Sequence, residues 1–241
     1  MKIIGVIPAR YNSSRFEGKP LADICGKPMI WWVYQQAKKV AEFSAVCVAT
    51  DDERIEKACQ QYGLEVVMTS SNHKTGTDRV AEVARKVEGD LFVNVQGDEP
   101  LIDPRMIRQV IEIFKDESVY FGTLKKEITE QSAIEDVNAV KIVTDLKGDT
   151  LYMSRSVVPS NVRGKARVFK HIGIYAYKRD FLMLYPTLPQ TELEVGESLE
   201  QLRALEHGYK LRAHETEFET IGVDLPEHIA QVEHVLKSFG K

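Results

Sequence analysis

The chain has 241 residues, 43% of them hydrophobic and 28% charged, with a formal net charge of -4. One large domain or two small ones with a full core fit that length, and the acidic balance gives no footing for general nucleic-acid or membrane-surface binding. No run approaches the ~18 apolar residues of a membrane span, and the apolar part of MKIIGVIPAR is too short for a signal peptide, so a soluble, cytoplasmic protein is expected.

The first half alternates apolar runs with helical patterns. Lys2 to Pro8 (KIIGVIP) reads as a buried strand and Pro28 to Glu42 as a helix with proline in its first turn. AVCVAT is a second strand. DDERIEKACQQYG is a helix with acids in its first turn and Gly63 just past its end. EVVM, the helix TDRVAEVARKV and the strand DLFVNV complete the series. Strands spaced by such helices predict βαβ units and an α/β fold, with a mostly parallel, Rossmann-like central sheet covered by helices on both faces.

After about residue 117 the rhythm changes. VYFGTLKKE, NAVKIVTD, TLYMSRSVV and VFKHIGIYAYK are β-rich, followed by a helix over Glu197–Gly208 and a terminal helix over Leu225–Phe239. No Pro/Gly/Ser linker divides the halves. A single α/β domain over 1–241 is expected, with a β-rich subdomain after about residue 117. The three cysteines, Cys25, Cys47 and Cys59, form no CxxC pair, which argues against a zinc ribbon or disulfide framework.

Ligands of open parallel sheets gather at the carboxyl ends of the strands. The loop after the first strand, IPARYNSSRFEGKPL (Ile7 to Leu21), sets Arg10, Arg15 and Lys19 among small residues. Three cations there point to an anion, with arginine offering a bidentate fork for phosphate. GxxxxGK[ST] is absent, because Gly18-Lys19 is followed by Pro20 and the earlier glycine is misplaced, and GxGxxG is absent too.

That loop, R-x-x-S-x-R-x-x-G-K-P-L, resembles the signature of the CMP-Kdo synthetase (3-deoxy-manno-octulosonate cytidylyltransferase) family of sugar-activating nucleotidyltransferases. Most members carry proline where this chain has Glu17. VATDDERI, TSSNHKTGTDRVAEV, VNVQGDEPLI, YMSRSVVP, FKHIGIYAYK, ESLEQLRALEHG and IGVDLPEH match family blocks in order over nearly the whole chain.

The resemblance implies a nucleotide-diphospho-sugar transferase-like fold, with about 1–117 the nucleotide-binding half and about 118–241 the sugar-binding and dimerisation half. It also implies a reaction of CTP with an acidic 3-deoxy-2-ulosonic sugar, giving the CMP-sugar and pyrophosphate, for lipopolysaccharide or capsule synthesis. It implies catalytic roles for Arg15, Lys19 and Asp98, and nucleotide binding by Pro8, Ala9, Arg10, Ser14, Lys19, Thr77, Arg79 and Gln96. On the sugar side it implies Gln96, Arg155, His171, Tyr175, Glu197 and Gln201, with the i, i+4 pair Glu197 and Gln201 on one helix face. Asp98 and Asp224 are the implied Mg2+ ligands, since Mg2+ commonly takes one or two carboxylates plus substrate oxygens. A homodimer is implied as well; the adjacent Trp31, Trp32 and Tyr34 cannot all face one core, so one is expected at a subunit contact. Asp78 reads as a helix cap, and Asp224 reads equally as a cap ahead of Pro226. No general base stands out. Alternatives are the same reaction on 8-amino-Kdo or a sialic acid, a metal-dependent glycosyltransferase, which usually shows a DxD motif absent here, and a non-catalytic nucleotide-binding module.

Overall fold

The computed structural model describes residues 1–13, 15–73 and 75–239. They divide into two units, Met1–Arg108 with Glu219–Lys241, and Gln109–Phe218. The C-terminal segment, grouped with the second half by its place in the chain, therefore packs with the first unit.

In the first unit the strands are β1 (Ile3–Ala9), the short pair β2 (Asp23–Ile24) and β3 (Lys27–Pro28), β4 (Phe43–Thr50), β5 (Val66–Met68) and β6 (Leu91–Asn94). The helices are α1 (Met29–Lys38), α2 (Glu53–Gln61), α3 (Gly76–Lys86) and α4 (Pro104–Glu112), the last reaching the unit boundary. Strand order is β6-β1-β4-β5, and all three pairings are parallel. Ile3, Ile4, Val6 and Ile7 of β1 are all buried. Only a strand covered on both faces reads as an unbroken apolar run. Each such side chain contributes roughly 1.5–3 kcal/mol on burial.

Helix α1 follows Pro28 without a side-chain cap, whereas α2, α3 and α4 start where a side chain satisfies a free N–H group. Asp52 caps α2 by accepting from Arg54 N–H at 2.9 Å. Thr75 and Asp78 form a reciprocal capping box on α3, the role the sequence gives Asp78. Helix α4 has no counterpart in the sequence reading; Pro104 opens it and Asp103 Oδ1 accepts from Arg105 N–H at 2.8 Å. Trp32 and Tyr34 of α1 turn inward, donating to the carbonyls of Ile24 and Val46. Cys25 is exposed, and Cys47 and Cys59 are buried free thiols.

The second unit holds β7 (Phe121–Ile128), α5 (Gln131–Glu135), β8 (Lys141–Thr144), β9 (Thr150–Ser154), β10 (Val168–Lys178), α6 (Arg179–Leu184), α7 (Glu192–Glu197), α8 (Gln201–Glu206) and β11 (Leu211–Glu215). β10 pairs antiparallel with β7 and β8, β8 antiparallel with β9, and β11 parallel with β7. Phe121 stacks on Tyr177 at 4.8 Å and on Phe181 at 5.3 Å, which ties β7, β10 and α6 into one core.

The single helix expected over Glu197–Gly208 is two helices. Ser198 takes a left-handed conformation, φ 53°, and ends α7; α8 begins at Gln201. Glu197 and Gln201 therefore do not share one helix face. A non-glycine residue at positive φ carries no turn signal in the sequence, which is why the break was invisible there.

The terminal helix, α9 (His228–Phe239), begins three residues later than expected. It returns to the first unit, where Val223 and Val232 pack with Ile24 and Met29, flanked by Phe16 and Trp32. Among the described residues no helix is long and apolar enough to cross a membrane.

Candidate active site

The carboxyl ends of β1 and β6 and the start of α3 surround a pocket of about 440 Å³. Its lining includes Pro8, Ala9, Arg10, Arg15, Lys19, Arg79, Gln96 and Asp98. Close backbone approach shapes it. A Cβ on Gly97 would stand 2.5 Å from the Pro8 carbonyl oxygen, so only glycine lets the QGDEP turn lie against the end of β1. Gly18 has φ +70° and its N–H donates to the Tyr11 carbonyl at 2.8 Å, closing the loop just ahead of Lys19.

Charge organises the pocket's edge. Lys19 Nζ lies 2.7 Å from Asp98 Oδ2 and 3.9 Å from Asp224 Oδ1, and Arg15 Nη2 lies 2.9 Å from Asp224 Oδ1. Val223 N–H donates to the Asp98 carbonyl at 2.8 Å, so backbone contact brings the two acids together from positions far apart in the chain. Asp224 does not cap α9: its side chain faces Arg15, and its N–H donates to His228 Nδ1 at 3.1 Å. Among the described residues no three His, Cys, Asp or Glu side chains converge as a metal cage. Two carboxylates on one cation are nonetheless a donor set that suits an ion completing its shell with substrate oxygens.

The remaining nucleotide-side residues divide by exposure. Arg10 is exposed on the pocket and Gln96 is partly buried beside it. Thr77, in the first turn of α3, is 1% exposed. Arg79 is also 1% exposed; it pairs with Asp51 at 3.2 Å and bonds the Thr69 hydroxyl, yet still lines the pocket. Burial lowers its pKa and the adjacent Asp51 offsets part of that. Ser14 lies outside the described residues.

The loop has a brace that the sequence did not disclose. The Arg54 guanidinium lies 3.2 Å from the Tyr11 ring centroid and is gripped by Asp52 at 2.9 and 2.7 Å. The Tyr11 ring also packs on Gly18, where an added Cβ would meet it at 3.1 Å. Tyr11 is thus a positioning residue, held between the capped start of α2 and the turn that presents Lys19. The signal available in the sequence was an aromatic inside a cationic loop.

In the second unit the expected sugar-side residues form two clusters. Gln201 Nε2 donates to Tyr175 Oη at 2.5 Å, Tyr175 stacks on His171 at 5.2 Å, and His171 Nε2 lies 3.2 Å from Thr123 Oγ1. Burial pushes the His171 imidazole down to about 4, so it is neutral near pH 7. In the other cluster Glu197 accepts from Arg155 N–H at 2.8 Å, the Ser154 hydroxyl at 2.6 Å and the Tyr152 hydroxyl at 3.3 Å. Burial alone would raise its pKa, but these donors hold the carboxyl below its usual value. Arg155 turns Nε to the Glu197 carbonyl at 2.8 Å and Nη1 to the Val137 carbonyl at 3.1 Å, so it clamps backbone as well as offering charge.

The cytidylyltransferase family profile matches residues 4–217. A 3-deoxy-manno-octulosonate cytidylyltransferase from Geobacter metallireducens is 48% identical over 252 residues, covering 99% of each chain. One from Trichlorobacter lovleyi is 48% identical over 250 residues, 98% of this chain and 99% of that one. A solved structure of CMP:2-keto-3-deoxy-manno-octonic acid synthetase complexed with CTP matches with a TM-score of 0.95 at 44% identity over 99% of both chains. Identity at this level over essentially full length, on a pocket that gathers cations beside paired carboxylates, places the chain in the 3-deoxy-manno-octulosonate cytidylyltransferase (CMP-Kdo synthetase) family.

Proposed function

We infer that the protein transfers the cytidylyl group of CTP to 3-deoxy-manno-octulosonate, releasing pyrophosphate and CMP-Kdo. The observation that carries this reading is the convergence of Arg15, Lys19, Asp98 and Asp224 at one pocket edge, in a chain nearly half identical to named members of the family. The C2 hydroxyl of the sugar attacks the α-phosphorus in line. The new bond from oxygen to phosphorus forms as the bridge to the β-phosphate breaks; the electron pair leaves with pyrophosphate and the hydroxyl proton passes to solvent water.

Arg10 holds the triphosphate, and Arg15 and Lys19 neutralise charge growing on the departing pyrophosphate. Charge stabilised only as the bond breaks acts on turnover rather than on ground-state binding. Thr77, Arg79, Gln96 and the backbone of Pro8 and Ala9 hold the nucleotide. Asp98 and Asp224 are the residues that would hold Mg2+; they fit because both already lie against one cation. When bound, the ion supplies Lewis acidity that makes the sugar hydroxyl a better nucleophile.

The neutral His171, Tyr175 and Gln201 suit sugar hydroxyls. Glu197 orders Arg155, whose charge suits the sugar carboxylate. A homodimer, a cytoplasmic location and a role in lipopolysaccharide or capsule synthesis belong to the same reading through the family resemblance. Pyrophosphate release from pure protein with CTP, Mg2+ and Kdo tests it. The expected result is release with CTP and Kdo that exceeds release with UTP, a sialic acid or 8-amino-Kdo; no release with Kdo overturns it.

A further inference from the structure

The proposed roles place Lys19 on phosphate oxygens and the divalent ion on Asp98 and Asp224. In the structure the Lys19 ammonium sits on those two acids itself, 2.7 Å from Asp98 Oδ2 and 3.9 Å from Asp224 Oδ1. One ammonium cannot neutralise both the carboxylates and the triphosphate. Its side chain is only 15% exposed, so the pairing is shielded from solvent more than an ordinary surface ion pair. The acids do not need Lys19 to remain neighbours, because the Val223 N–H to Asp98 carbonyl bond joins their segments. Arg15, the other cation on Asp224, is 65% exposed and correspondingly screened.

We infer that Lys19 is an internal counter-ion that changes partners. It occupies the two-acid site until the triphosphate draws it away, and its departure then opens Asp98 and Asp224 to the divalent ion. This rests on the reading that these two acids take the metal. Two consequences follow from linkage. Nucleotide and metal bind with positive coupling, each favouring the arrangement the other needs. Metal offered alone binds weakly, because only the fraction of molecules with Lys19 off the acids is competent; if about one molecule in ten is open, apparent affinity falls about tenfold. The device keeps the carboxylates neutralised when the pocket holds no triphosphate and delivers a cation to each group when it does.

The probe is Mn2+ alone, titrated into nucleotide-free protein and followed by electron paramagnetic resonance. Lys19→Met is expected to bind Mn2+ about tenfold tighter than the natural protein, although its turnover falls. Lys19→Arg, which keeps the charge, is expected to stay near the natural affinity. Adding Asp98→Asn to Lys19→Met is expected to abolish the gain. Equal Mn2+ affinity for the natural protein and Lys19→Met overturns the exchange, as does an equal gain in Lys19→Arg, which would trace the effect to a loosened loop. Failure of the underlying reading looks different: Asp98→Asn alone would then retain metal-dependent turnover.

Discussion

The pocket of the first unit and the clusters of the second that are proposed to meet the sugar are built on different physics. At the pocket edge the largely shielded Lys19 and the more exposed Arg15, Asp98 and Asp224 are linked by ion pairs of 4 Å or less. In the second unit Tyr175 and Gln201 are buried and bonded to each other, beside a neutral His171. A triphosphate is best met by mobile cations that can exchange partners. Sugar hydroxyls are best met by preset neutral donors and acceptors, which reject a poor fit by leaving buried groups unpaired.

Substitutions can break this contrast in order of expected size. Asp98→Asn should lower turnover by about 10³ or more while circular dichroism and thermal unfolding stay near those of the natural protein, the size set by loss of one preorganised charged group. Lys19→Ala should lower kcat by about 10²–10³, with a smaller effect on KM for CTP. Near-full activity in either would remove its assigned role.

Gln201→Leu removes the amide that donates to the Tyr175 hydroxyl. It should raise KM for Kdo several-fold, in line with ~0.5–1.5 kcal/mol for the loss of one hydrogen bond, and leave KM for CTP unchanged in the same initial-rate assays. An equal rise in both would mean the second unit is not a separate sugar-recognising surface.

The pH dependence sharpens the same contrast. His171 has a folded pKa of about 4, below the ordinary histidine value near 6.5. The unfolded chain therefore binds its proton first as pH falls. The contribution of His171 is fully present above about pH 6.5 and is lost through about pH 4. Melting temperature should drop across this window, and His171→Phe should flatten that part of the profile.

The smallest effect expected is at the brace. Tyr11→Ala should raise KM for CTP a few-fold, as befits a cation–π contact at an exposed site of ~0.5–1 kcal/mol, with Kdo kinetics unaltered. Tyr11→Phe keeps the ring and should restore KM. Failure of that rescue would assign the effect to the hydroxyl.

Much of this was open to reading residue by residue. The unbroken apolar run of β1 implied a strand covered on both faces, and Asp78 was legible as a cap at the start of α3. The cationic loop pointed to a phosphate pocket because a sheet's carboxyl edge is where such loops gather. Other features left no trace. Ser198 breaks a helix with a backbone conformation that its side chain does not advertise, and Arg54 reaches Tyr11 only because α2 starts beside the loop.

Taken alone, then, the sequence determined the α/β class, the cation-rich loop and the family, because periodicity, capping and motif spacing are local properties of the chain. Tertiary structure alone decided that Asp224 returns from the C-terminal segment to meet Lys19 and Asp98, through Val223 packed on Ile24 and Met29. It also decided that Lys19 rests on carboxylates rather than standing free. Those relations join residues distant along the chain, and they are set by which apolar faces bury together and which charges that burial then brings within reach.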